Sequence, residues 1–242
     1  MQSNNLILRN LKIGYKSHVV LSEIDIEIDK PSFILLCGRN GSGKSTLLKT
    51  ILGLINPLAG EIIVNGKNPS EISVAEQAKI FSYVAAKPVM LSNISLRQIV
   101  ETGRAPYTSW LNKLSLKDIE LVNQAIDYLK ITHIENKNIA EVSDGERQKA
   151  MIARALAQDT PFLLLDEPTA FLDYPSKIEF IKILNNLAKQ FSKTIIITSH
   201  ELDILIPNID SIWFCHNSKL YIDNFQNLKN NKDFQEFFMK IE

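Results

Sequence analysis

The chain has 242 residues, 45% of them hydrophobic, with 27 basic and 27 acidic side chains and no formal net charge. At roughly 150 residues per domain this length allows one or two domains, and a chain of this size buries about 70% of its unfolded surface without disulfide or metal staples. Neutral charge argues against a protein whose main task is to neutralise a nucleic-acid backbone, and the aliphatic content rules out wholesale disorder.

Residues 5–9 read as a short strand. Ile24, Ile26 and Ile28 alternate with Asp25, Glu27 and Asp29, the period of a half-buried antiparallel strand. Phe33 to Cys37 is continuously apolar, as in a strand covered on both faces. A glycine-rich turn follows, then a buried helix over Ser45 to Leu54, a strand over Glu61 to Val64 and an Asn65-Gly66 turn. From about Lys87 to Asp159 the pattern is mostly helical, with Leu121, Ala125, Tyr128 and Leu129 on one predicted face and a second helix over Ala150 to Ala157. Strands return at Phe162–Leu165, Thr194–Thr198 and Ser211–Cys215, separated by helices near 175–190 and 201–206, and the tail from Phe234 to Ile241 reads as a short surface helix. Strands interleaved with helices imply a parallel sheet.

Cys37 and Cys215 each sit in an apolar run and are expected to be buried thiols, with no spacing that suggests zinc or redox chemistry. The start, Met1-Gln2-Ser3-Asn4-Asn5, lacks the basic and apolar regions of a signal peptide, and no run approaches the ~18 apolar residues of a membrane span. The expectation is a soluble cytoplasmic chain that reaches a membrane only through a partner.

Gly38-Arg39-Asn40-Gly41-Ser42-Gly43-Lys44-Ser45 matches G-x-x-x-x-G-K-[ST]. Its glycines let successive backbone N–H groups and a helix N-terminus point at phosphates, Lys44 reaches the β/γ-phosphates, and Ser45 holds Mg²⁺. Phe162-Leu163-Leu164-Leu165-Asp166-Glu167 ends a buried strand in two acids: Asp166 suited to Mg²⁺, Glu167 to polarising an attacking water. Ser143-x-x-Glu146 is a capping box, a helix start that also attracts phosphate.

The order of the phosphate loop, Ser143-Asp144-Gly145, the Asp166-Glu167 strand, Thr169 to Asp173 and Thr198-Ser199-His200 resembles the ATP-binding-cassette (ABC) ATPases over residues 6–222. The resemblance implies one ABC nucleotide-binding domain over 1–242. Its fold would be α/β, a P-loop NTPase with a RecA-like core (about 1–86 and 160–242), an antiparallel β subdomain and an ABC helical subdomain (about 87–159). It implies that Tyr15 stacks on adenine and that His200 is the switch histidine on the γ-phosphate. Asp173 would communicate across a homodimer in which ATP and Mg²⁺ lie between Lys44, Ser45, Thr46, Asp166, Glu167 and His200 of one chain and Ser143 and Gly145 of its mate.

Two departures stand out. The usual Leu-Ser-Gly-Gly-Gln signature here has Val142, Asp144 and Glu146, and Asp144 is expected to point away from the phosphate. Ala86 replaces the usual Gln of the loop between core and lobe, so slow hydrolysis is expected in the isolated protein, with Lys87 a partial electrostatic substitute.

Gly103-Arg104-Ala105-Pro106-Tyr107 is similar to a stretch in importer ATPases serving iron–siderophore, haem and cobalamin uptake. That implies an integral-membrane permease received by Tyr107, Trp110 and Leu111, a substrate-binding protein engaged indirectly, and a place on the cytoplasmic face of the cell membrane. The alternatives are a soluble ABC ATPase in iron–sulfur assembly, or one acting on DNA or ribosomes. Scattered Lys12, Lys16 and Lys30 form no nucleic-acid track, so no direct nucleic-acid contact is expected.

Overall fold

The computed structural model describes residues 4–86, 93–108 and 113–238. Strands β1 (Leu6–Tyr15) and β2 (His18–Ile28) pair antiparallel. β3 (Phe33–Gly38) starts a second sheet and leads into helix α1 (Lys44–Ile51); β4 (Ala59–Val64) then returns to flank β1. β1, at 10 residues, is twice as long as the short strand read over 5–9. Its register shifts between Leu8 and Leu11, around Asn10 with φ 47°, and such an irregularity breaks the period of two that a sequence reading follows. The Asn65-Gly66 turn has φ 50° and 78°, the left-handed pair that tight hairpins favour.

The second sheet has the order β5-β6-β7-β3-β8-β9, with β5 (Phe81–Val84), β6 (Phe162–Asp166), β7 (Thr194–Thr198) and β8 (Ser211–His216) parallel to β3. β9 (Lys219–Asp223) turns back against β8 as an edge strand. β5 and β9 escape a reading by hydropathy. The first spans four residues and the second is mostly half-exposed.

Helices α2 (Val74–Ile80), α3 (Leu96–Glu101), α4 (Leu116–Tyr128) and α5 (Asp144–Ala157) come before β6. α6 (Tyr174–Gln190), α7 (Leu202–Leu205), α8 (Phe225–Leu228) and α9 (Lys232–Phe238) follow it. The buried face of α4 consists of Val122, Ala125 and Ile126, with Leu129 just beyond, whereas Tyr128 is exposed. The apolar face is thus rotated from the predicted one. α9 is also more than a surface helix: Phe234 and Phe237 are buried, each with its ring centroid 5.2 Å from that of Phe214.

The parallel sheet divides the core. Ile34, Leu36, Leu164, Ile196 and Trp213 pack with α1 and the antiparallel sheet. Leu35, Leu163, Leu165, Ile197 and Phe214 join a second cluster with α6 and with Val122, Ile126 and Ile152 of α4 and α5. Cys37 and Cys215 fall into opposite clusters although their strands are neighbours. Both are buried and free, and burial pushes both thiols up, Cys215 to about 12. Among the described residues no helix is long and apolar enough to cross a membrane.

Candidate nucleotide-binding site

β3 carries the loop 38–43 to the C-terminal edge of the parallel strands, between β7 and β8, where α1 begins. Open α/β sheets bind ligands at this edge. Gly43 caps α1 with φ 106°, and a Cβ there would lie 2.5 Å from Val20 Cγ1. Gly41 has φ 80° with nothing within 4 Å of a built Cβ, so it lets the chain turn while leaving the mouth of the loop open. Arg39 and Asn40 are exposed beside it. Lys44 is 6% exposed and donates from Nζ to the carbonyl oxygens of Gly38 (2.9 Å) and Arg39 (3.3 Å), which holds its charge inside the curve. Ser42 Oγ is buried with no nitrogen or oxygen partner, only the weak Cys215 thiol beside it, and is a polar group of the kind a bound oxyanion satisfies. Ser45 is half-buried on the first turn of α1. Thr46 is buried, and its Oγ1 lies 3.4 Å from the hydroxyl of Tyr15, whose half-exposed ring stands beside the loop.

Asp166 ends β6 at 4% exposure. Its Oδ1 accepts from Thr198 Oγ1 at 2.8 Å, and its Oδ2 accepts a long bond from the Tyr83 hydroxyl at 3.4 Å. Burial and the adjacent carboxylate push the Tyr83 phenol up to about 12, so it stays a donor. No cation pairs with Asp166 among the described residues. A buried carboxylate lacking a counter-ion fits a site whose missing charge is a metal bound with phosphates. Glu167 follows with φ 48°, and its N–H is held by the Thr198 carbonyl (3.2 Å) and hydroxyl (2.8 Å). Its Oε1 reaches His200 Nε2 at 3.3 Å. The fold therefore gathers the second acid and the histidine, two of the residues that the sequence picks out. In the sequence Thr198 stands as the first residue of the Thr198-Ser199-His200 run and Tyr83 as one residue of the short stretch before Ala86, and neither residue type by itself signals contact with a buried acid.

Ser143 caps α5. Glu146 Oε2 accepts from Ser143 N–H (2.9 Å) and Oγ (2.8 Å), and these bonds hold the Glu146 carboxyl below the usual range. Asp144 is turned onto Arg147 in an ion pair one turn along. Gly145 admits the Phe171 carbonyl, which would lie 3.0 Å from a Cβ. No hydrogen bond joins Ser143 to the phosphate loop among the described residues. Asp173, at the end of the loop after β6, caps α6 through Ser176 N–H at 2.9 Å.

Arg104 is buried. It donates to Asp118 Oδ1 (2.8 Å) and Ala157 O (2.7 Å), with Tyr107 stacked 4.1 Å from its guanidinium. Beside it, Asn93, Gln98, Glu101, Ala105 and Leu114 line a cleft of about 680 Å³. Ala86 lies on the bend after β5. Lys87, Trp110 and Leu111 lie outside the described residues.

A phosphate loop on a central parallel strand, with an acid-ended strand two places away in the sheet, defines a P-loop nucleoside triphosphatase. The ABC transporter family model matches residues 21–170. The achromobactin transport ATP-binding protein CbrD of Dickeya dadantii is 38% identical over 86% of this chain and 78% of its own length. The iron(3+)-hydroxamate import ATP-binding protein FhuC of Bacillus subtilis is 34% identical over 83% and 74%. A solved ABC transporter described as of metal-chelate type, in an inward-facing conformation, superposes with TM-score 0.83 at 25% identity, covering 98% of this chain and 89% of that one. The chain belongs to the ABC transporter family and is an ATP-binding, ATP-hydrolysing subunit.

Proposed function

We propose that this chain is the motor of an importer for iron chelates, siderophores first among them, and works as a head-to-tail pair beneath a membrane permease. The observation that carries the cargo class is the relatives' agreement: CbrD is an achromobactin transport ATP-binding protein and FhuC an iron(3+)-hydroxamate import ATP-binding protein. Gly103 to Tyr107 supports the same group.

ATP would lie with its adenine on Tyr15 and its phosphates in the loop of Gly38, Arg39, Asn40, Gly41, Ser42 and Gly43, against Lys44, Ser45 and Thr46. Ser45 and Asp166 would hold Mg²⁺, which supplies charge neutralisation at the β/γ-phosphates. Glu167 takes the proton of the attacking water and His200 steadies that carboxylate, from which it stands 3.3 Å. Ser143 and Gly145 of the mate complete the site. Among the described residues their own chain's loop makes no hydrogen bond to Ser143, which supports an arrangement across two copies. The cleft beside α3 would receive the permease and hold the motor at the cytoplasmic face of the membrane.

E167Q tests both halves of the reading. Turnover should fall by about a hundredfold or more. ATP should then trap a dimer, seen by light scattering, and a tagged chain should co-purify with a polytopic permease needed for ferric-siderophore uptake. Wild-type turnover in E167Q removes the role of Glu167, and recovery with soluble partners alone removes the importer.

A further inference from the structure

The buried end of β7 carries a hydroxyl that touches both Asp166 and Glu167. Thr198 is fully buried and lies between the two acids at the end of β6. Its Oγ1 donates to Asp166 Oδ1 at 2.8 Å and accepts from the Glu167 N–H at 2.8 Å. A hydroxyl has one proton to give. Because the Glu167 N–H can only donate, that proton is directed to Asp166, and the relay runs one way: Glu167 N–H to Thr198 O–H to Asp166 carboxylate.

We infer that Thr198 is a positioning residue for the metal–nucleotide complex: its hydroxyl aims the Asp166 carboxylate and ties that aim to the backbone of Glu167. The inference rests on the reading that Asp166 serves the metal. Three observations support it. Asp166 has no cationic partner among the described residues, so its hydroxyl donors are what hold it. The second donor, Tyr83, is 3.4 Å away, too long to fix the carboxylate by itself. Glu167 sits at φ 48°, outside the ordinary range for a side-chain-bearing residue, and Thr198 holds its N–H from two oxygens. Groups that orient a metal-binding carboxylate are commonly worth ten- to a hundredfold in metal affinity.

The test is binding of Mn²⁺ by the full chain with a non-hydrolysable ATP analogue, read from the spin-resonance signal of free Mn²⁺. T198V and T198A, which remove the hydroxyl, should weaken Mn²⁺ by about tenfold or more. T198S, which keeps it, should stay close to wild type. Analogue binding in EDTA should be unchanged in all three. Wild-type Mn²⁺ affinity in T198V and T198A overturns the inference. So does T198S behaving like T198V, because packing of the methyl would then be the cause, or an equal loss of binding in EDTA, which would mean collapse of the site. D166N separates the two readings. If D166N keeps its Mn²⁺, the role of Asp166 fails; if D166N loses it and T198V does not, only the role of Thr198 fails.

Discussion

The starts of α1 and α5 both present the positive end of a helix dipole and N–H groups outside the helical ladder. Before α1 stands Gly43 in the left-handed region, with no side-chain cap and no acid in the first turn. Before α5 stands Ser143, in a capping box with Glu146, and the first turn holds two acids. The α1 donors are left for an external anion, whereas at α5 the Ser143 and Glu146 N–H groups are already met within the box. A phosphate arriving at Ser143 must compete with the Glu146 carboxylate, whereas one arriving at the loop competes only with neutral acceptors among the described residues, the Gly38 and Arg39 carbonyls that hold Lys44 and the Ser42 N–H. A capping box is also no mark of function in this protein, since Ser73, Ser95 and Ser115 form the same box at α2, α3 and α4.

One methyl placed at each start separates the two. In G43A the new carbon meets Val20 Cγ1 at 2.5 Å at φ 106°, a strain of about 1–3 kcal/mol. ATP affinity of the isolated chain should drop about tenfold or more, as read by calorimetry. In G145A the contact is with the Phe171 carbonyl at 3.0 Å at ordinary backbone angles, so isolated-chain affinity should hold. Loss of binding in G145A would mean the two starts are not independent.

The box at α4 differs in that its acid, Asp118, is buried. Hydrogen bonds from Ser115, and then the Arg104 guanidinium, hold Asp118 near pKa 2 against its burial. A depressed carboxylate stabilises the fold above its unfolded pKa, near 3.9, and that contribution is lost as pH falls toward about 2. Urea unfolding should show a loss of about 1–2 kcal/mol between pH 4 and pH 2, and D118N should flatten it. An unchanged slope in D118N would assign the acid loss elsewhere.

The smallest effect belongs to Glu146. E146Q keeps an acceptor for Ser143 but removes a charge from the helix start, costing up to about 1 kcal/mol of stability. ATP-driven dimerisation should tighten severalfold, measured by sedimentation. Weaker pairing in E146Q would show that the carboxylate assists the anion site rather than competing with it.

Much of this site can be read from contiguous residues. The phosphate loop, the Leu-Leu-Leu-Asp-Glu strand and the Ser143 box each declare themselves within eight positions, because turn geometry and capping are local physics. β1 beyond Leu8 and the buried face of α4 were obscured, the first by the irregularity at Asn10, the second because packing against α5 selects Val122 and Ile126 over Leu121 and Tyr128. Arg104 stands in the sequence only as part of the importer-like stretch, yet it is a buried clamp on the end of α5, a role set by Asp118 and Ala157 well away along the chain.

Sequence alone determined which residues can bind phosphate, which acids end a buried strand, and the family. The tertiary structure decided what those residues meet. The strand order β6-β7-β3 sets Thr198 between Asp166 and the phosphate-loop strand, and the twofold alternation of strands sends Cys37 and Cys215 to opposite faces of one sheet. Strand order arises from crossovers that bring distant segments side by side, so no local pattern contains it.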